Sequence, residues 1–288
     1  MKAGKSFTKA LSCGLLAAAA LACPAPAAAQ REAAVLAKGS GPYFESYLAF
    51  QKALGRPVTP FDLSRGKPRL PGDLRAVAAF GSRAADLKYP EDVTVVYALA
   101  PGFFPDKPGR LIRVSSLPEP GKALAAYKQL QPGLKRLTVF RLRNLSKIYP
   151  EKLAAAGKAA GVEVSEVALS SSTEFPEALR ALSGKTDALW LFPDPNLISK
   201  TSLDVLAEFA CANKIPFYAP SAGLVALGAT AAYAPGFAET GAAAARALQA
   251  ALDGREQPSM VFAEASLTVN RKAAAACGLS LGMTGGGQ

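Results

Sequence analysis

The chain has 288 residues, a formal net charge of +11 at pH 7, 50% hydrophobic side chains, four cysteines and no histidine. Without histidine a Ser-His-Asp triad is excluded, and the commonest general base and metal ligand are missing. Lys and Arg are scattered with no block of five, which argues for a solvated basic exterior rather than a nucleic-acid surface.

In chain order, the first 29 residues read as an address. Lys2, Lys5 and Lys9 form a positive start, Leu11–Ala22 an apolar core, and Ala27-Ala28-Ala29 a small-residue cleavage site. This is the pattern of a secretory signal peptide, too short to span a membrane permanently. It predicts a periplasmic mature chain of 259 residues beginning at Gln30. Loss of three lysines takes its net charge from +11 to +8. A lipid anchor on Cys23 is disfavoured, because Ala20-Leu21-Ala22 makes a poor lipoprotein signal.

A first alternating series follows. Ala33–Ala37 reads as a strand. Tyr43–Leu54 reads as a helix with the stripe Phe44, Tyr47, Leu48 and Ala53, stopped by Gly55. Val58–Asp62, Leu74–Phe80, Val93–Leu99 and Leu111–Val114 are further apolar strands, with a short helix after Gly81. Ser64–Asp73 holds two prolines and two glycines and has no room for a crossover helix. After a passage at Ser115–Pro120 the pattern repeats. Helices are predicted at Lys122–Leu130, Pro150–Ala160, Phe175–Leu182 and around Leu203–Ala210. Strands are predicted at Leu137–Phe140, Glu163–Val167, Ala188–Phe192 and Ile215–Ala219. Ala229–Tyr233 is one more strand, Glu239–Leu252 an Ala-rich helix, Val261–Val269 contains a strand, and Arg271–Cys277 is a terminal helix.

This doubled alternation predicts an α/β fold of two doubly wound parallel-sheet lobes joined by a hinge. The first lobe is expected at 30–116 plus 234–260, the second at 117–233 plus 261–281, and a flexible Gly-rich tail at 282–288. Cys211 and Cys277 both fall on predicted helices. Export permits a disulfide between them, and two buried thiols fit the sequence equally well.

No catalytic or metal centre is expected, and no cofactor. Gly278-Leu279-Ser280-Leu281-Gly282 matches G-x-S-x-G, but it follows a helix and precedes the tail, the wrong context for a nucleophile elbow. Neither phosphate-binding glycine motif occurs. Two distant cysteines cannot build a four-ligand zinc site. The chain therefore reads as a binder rather than an enzyme.

The binding features gather at strand carboxyl ends, the edge where open α/β sheets hold ligands. Gly39-Ser40-Gly41, Gly81-Ser82, Pro193-Asp194 and Ser221-Ala222-Gly223 all fall there. Small residues let backbone N–H groups and helix N-termini approach a guest, although the same residues serve ordinary turns. Tyr43, Phe103, Phe104 and Tyr149 are candidates to stack on it. Arg141 and Arg143 suit either an anionic group or a solvated face.

From Pro118 to Leu279 the chain resembles the periplasmic solute-binding proteins of ABC transporters with the type I periplasmic-binding fold, in the tryptophan/tyrosine-type group. The blocks that carry the resemblance are LKRLTVF at 134, AAGVEV at 159, TDALWLFPDPNLIS at 186, ANKIPFYAPSAG at 212 and LTVNRKAAAACGLSL at 267. The first lobe matches by pattern, best at LPGDLRAVAAFGSRAA from Leu70. The resemblance implies a receptor with three crossings, near Ser116, Tyr233 and Met260, that closes on a solute and delivers it to a membrane permease. It implies pocket contributions from Ser40, Ser82, Asn144, Asp194 and Ser221. The alternative is a ligand-responsive module feeding a membrane sensor without transport.

Overall fold

The computed structural model describes Met1 and residues 31–103, 110–143 and 146–282. The leader, Phe104, Asn144 and the tail beyond 282 lie outside the described residues. In the first series the elements are β1 (Glu32–Leu36), α1 (Pro42–Leu54), β2 (Pro60–Asp62), β3 (Ala76–Phe80), α2 (Ser82–Ala85), β4 (Thr94–Ala98) and β5 (Leu111–Ser115). The second series runs α3 (Pro120–Leu130), β6 (Arg136–Leu142), α4 (Ile148–Ala160), β7 (Glu163–Leu169), α5 (Phe175–Leu182), β8 (Ala188–Leu191), α6 (Lys200–Ala212), β9 (Phe217–Tyr218) and β10 (Ala231–Ala234). The chain ends with α7 (Phe237–Leu252), β11 (Met260–Phe262), β12 (Ser266–Val269) and α8 (Arg271–Ala276).

The strands form two six-stranded sheets, ordered β11-β5-β4-β3-β1-β2 and β12-β10-β9-β8-β6-β7. Every pairing is parallel except β10 with β12. β1, β3 and β8 are buried along their whole length. That is why their sequences are apolar runs rather than alternations, broken only by Glu32 at the start of β1, which pairs with Arg56.

Each sheet has a core on both faces. In the first, α1 and α7 cover one face, where Phe50, Phe80 and Leu248 meet. The contact is close because α7 carries Gly241: a Cβ there would collide with the Ser46 carbonyl of α1. The opposite face, with Val35, Val77 and Val95, is covered by α2 and by loop residues such as Leu63, Leu74 and Tyr89. As the composition of Ser64–Asp73 predicts, a single helical turn at Leu63–Arg65 stands where a crossover helix would be. In the second sheet, α3 and α4 cover one face and α5 and α6 the other.

The chain passes between the sheets at residues 116–119, 235–236 and 263–265. The third passage differs from the expectation. Met260–Phe262 pairs with Arg113–Ser115 of the first sheet, whereas Ser266–Val269 pairs with Ala231–Ala234 of the second. The stretch Val261–Val269 thus belongs to two strands in different sheets, and the crossing expected near Met260 follows Phe262. Cys211 and Cys277 are disulfide-bonded with Cα atoms 4.8 Å apart, tying the end of α6 to the end of α8.

Candidate functional site

Strand order reverses between β1 and β3 in one sheet and between β6 and β8 in the other. Chains diverging from such points leave a crevice at the strand carboxyl ends. The loops there are fixed by specific contacts. After β1, Gly39 donates its N–H to the Asp62 carboxylate, and Ser40 stands exposed beside it. The Ser64 hydroxyl, first among several donors, holds that carboxyl below its usual range. After β3, Gly81 has φ +103°, and a Cβ on it would lie 2.6 Å from Ala37 and 2.9 Å from the Tyr43 ring. Only glycine fits there, and Tyr43 is thereby packed across two loops. The Ser82 hydroxyl donates to the Pro101 carbonyl at 2.8 Å, linking the β3 loop to the β4 loop. Phe103 packs edge-on against Tyr97, ring centroids 5.1 Å apart.

In the second lobe Asp194 is 3% exposed. Its Oδ1 accepts the Asn196 N–H at 2.8 Å and its carbonyl accepts from Leu197 and Ile198. Asp194 therefore shapes the β8 loop from within. Ser221 is half-buried and opens the helical turn Ala222–Leu227, accepting the Leu224 N–H on its carbonyl. Asn144 lies outside the described residues.

Between the lobes lies a cavity of ≈ 60 Å³ lined by a different set of residues. From the first lobe come Pro101, Gly102, Arg113, Ser115 and Met260; Ser116 and Leu117 of the first passage form part of the wall. From the second come Arg141, Ser146, Tyr149, Pro150, Phe192 and Pro193. Pro101 and Pro193 bring the Ser82 and Asp194 loops to its edge. Tyr149 and Arg141, both singled out in the sequence, are in the wall. Arg113 and Ser115 are residues the sequence reading passed over; a charge inside the apolar run Leu111–Val114 was the available signal.

The wall mixes two arginines and two aromatic rings with proline, serine and aliphatic side chains. Arg141 is 6% exposed; its Nε–H donates to Glu166 at 2.6 Å and its Nη1 to the Leu142 carbonyl at 2.9 Å. Burial lowers the pKa of Arg113, with neighbouring Tyr97 acting the other way, and burial raises that of Tyr97. An arginine starts so high that it stays charged. The Tyr149 hydroxyl, pushed far up by burial, remains protonated and donates to the Pro118 carbonyl in the first passage at 2.8 Å. Its ring also meets Phe192 and, from the strand before the third passage, Phe262. Tyr149 thus touches the cavity and the segments around two passages. Behind it Trp190, the chain's single tryptophan, is fully buried against Tyr127 and Phe192. Among the described residues no group of three or more Cys, Asp or Glu is placed to hold a metal ion, and no helix is long and apolar enough to cross a membrane.

Known proteins agree with this architecture. A tyrosine-binding protein of Clostridioides difficile (strain R20291) is 35% identical over 112 residues, 38% of this chain. That match spans 32% of the relative's length. Among solved structures, an ABC domain in complex with L-Trp from Streptococcus pneumonia superposes with TM-score 0.57 at 17% identity, covering 86% of this chain and 94% of the other. A ligand-free, open substrate binding protein with adhesive properties from Clostridium difficile gives 0.59 at 18%, with the same coverage. These structural likenesses are of fold, the two-lobed type I periplasmic-binding architecture. Residues 106–282, more than half of the chain, match the family described as ABC transporter substrate binding protein, and the chain belongs to that family of small-ligand binders.

Proposed function

We propose that this chain is the exported solute receptor of an ABC importer, which holds a small molecule between its lobes and presents it to a membrane permease. The observation that carries this reading is the cavity walled from both sheets and by the first passage. Its ≈ 60 Å³ is far below the roughly 300–1,000 Å³ of a site for a drug-sized guest. Entry therefore requires the lobes to part, with the three passages as the hinge. A solute then favours the closed state only by its differential affinity for it. The loops bearing Ser40, Tyr43, Ser82, Phe103, Asp194 and Ser221 form the rim across which the guest enters, and Asn144 belongs to the same edge in sequence. The lobe boundaries follow the passages at 116–119, 235–236 and 263–265.

Periplasmic placement draws support from the leader sequence and from the Cys211–Cys277 disulfide, which persists in oxidising compartments. The tyrosine-binding relative and the L-Trp-bound structure make aromatic molecules of amino-acid size the first guests to try. A thermal-shift screen of the mature chain against a metabolite library, with tyrosine and tryptophan included, tests the reading. Stabilisation by one chemical class is expected. No response to any solute, together with no permease retained from membrane extracts, overturns it. The loop-covered face of the first lobe favours a second reading, a sensory module. Retention of a membrane sensor kinase in place of a permease would select it.

A further inference from the structure

On the receptor reading above the lobes part at the three passages, and one side chain is fixed to both lobes at that hinge. We propose that Phe262 is the pin of the hinge. Its ring stays seated in the second lobe as the cleft opens, the lobes turn about this point, and Tyr149 links the pin to the guest.

Phe262 belongs to the first lobe by its main chain. Met260, Val261 and Phe262 pair in register with Arg113, Val114 and Ser115 of β5. Its neighbours Val261 and Ala263 pack into the first lobe's core. Successive strand side chains point to opposite faces, so Phe262 turns the other way. It packs against the second lobe's core, which contains Leu117, Tyr149 and Phe192. Its ring centroid lies 6.3 Å from that of Tyr149 with the planes 64° apart, an edge-on arrangement that aromatic pairs favour.

Position decides what such a contact does. When two bodies rotate, only points near the axis keep their neighbours. Phe262 immediately precedes the third passage, and its register partner Ser115 immediately precedes the first. The ring therefore stands close to the axis, where opening does not pull it out. Withdrawal would return apolar ring surface to water, which opposes it. The first passage is braced at the same place, where the Leu117 N–H donates to the Ser115 hydroxyl at 3.1 Å. Lys122 and Glu264 also meet there, at 3.7 Å, but both side chains are mostly exposed and such a pair holds little. The apolar contact is the stronger tie. Tyr149 lines the cavity, donates its hydroxyl hydrogen to Pro118 of the first passage and rests its ring on Phe262. Cleft occupancy and lobe angle thus act on one side chain.

Solution X-ray scattering of the intact mature protein, with no solute added, tests the pin. A compact chain of 259 residues has a radius of gyration of about 18 Å, against roughly 56 Å unfolded, so a widened cleft is distinguished from a lost fold. Phe262→Ala should give a larger radius of gyration and a longer maximum dimension than the parent, far short of unfolding and at unchanged helix content by circular dichroism. Phe262→Leu, which keeps an apolar side chain, should lie between the two. Adding Tyr149→Leu to Phe262→Ala should widen the molecule no further, because the two rings form one contact; additive widening overturns the link to Tyr149. A folded Phe262→Ala that scatters as the parent does overturns the pin. If Phe262→Ala does not fold, Phe262→Leu decides by the same comparison. No solute enters this measurement, so its failure is separate from that of the receptor reading, which the thermal-shift screen decides.

Discussion

Replacing Cys211 and Cys277 together by serine should cost this protein about 4 kcal/mol of stability. The bond joins positions 66 residues apart, and cross-linking a loop of that length removes chain entropy from the unfolded state worth about 4 kcal/mol at 25 °C. The closed loop contains β9, β10, α7, β11 and β12, and with them the second and third passages between the lobes. Its loss therefore frees a segment that serves both sheets, not only the terminal helix. For a chain of this size each kcal/mol corresponds to roughly 2–4 °C in melting temperature, so a fall of roughly 10 °C or more is expected. Urea denaturation of the oxidised protein, the reduced protein and the double serine variant, followed by circular dichroism and by Trp190 fluorescence, measures it. The last two should behave alike. If both lie within about 1 kcal/mol of the oxidised protein, the loop-entropy reasoning fails.

Gly241→Ala places a methyl group against the Ser46 carbonyl where α1 and α7 meet. It should destabilise by about 1–3 kcal/mol, whereas Gly133→Ala, where nothing lies within 4 Å, should change thermal stability by about 0.5 kcal/mol or less. Tyr149→Phe removes the hydrogen bond to Pro118 and should cost about 1 kcal/mol in a urea titration. Burial works against ionisation of Asp187, but the Arg136 side chain and the N–H groups of Lys135 and Arg136 outweigh it and hold the carboxyl below its usual range. The folded pKa is thus the lower one. The stabilisation is complete above the unfolded carboxylate pKa of about 3.9 and is lost as pH falls through the folded value. Melting temperature measured from pH 6 down to pH 2 should fall less steeply in Asp187→Asn than in the parent; equal slopes would refute the assignment.

Much of the fold was legible because burial on two faces leaves a plain mark. Ala33–Leu36, Val77–Phe80 and Ala188–Leu191 are apolar without interruption, and each is a central strand. Helix α5, expected over the same residues, buries Phe175 and Leu179 four residues apart. Sheet membership is a different matter, since it is decided by partners far away in sequence. Val261–Val269 shows a continuous β-like pattern, yet pairing with β5 claims its first part and pairing with β10 its last. The Cys211–Cys277 pairing was open for the same reason.

What the sequence marks is an edge and not a wall. The four small-residue loops do lie at strand carboxyl ends, and the sequence marks Tyr149 and Arg141. What it could not show is which strands of the two sheets face one another across the gap. That depends on the route of the passages, which brings β5 and β11 to the cavity. Phe103 was read as a stacking candidate; its partner is Tyr97, on the loop-covered face of the first sheet. Asp194, a pocket contribution that the resemblance implies, uses its Oδ1 to hold its own turn.

The unequal cover of the first sheet has a kinetic consequence. Protection of a strand amide depends on how readily its neighbours lift away. Val77 and Val95 lie beneath irregular chain, a one-turn α2 and a single turn at Leu63–Arg65, while Leu189 and Phe140 in the second sheet lie beneath full helices. Deuterium should therefore enter β3 and β4 well before β6 and β8. The two sheets are thus unequally armoured, one softer and one firmer.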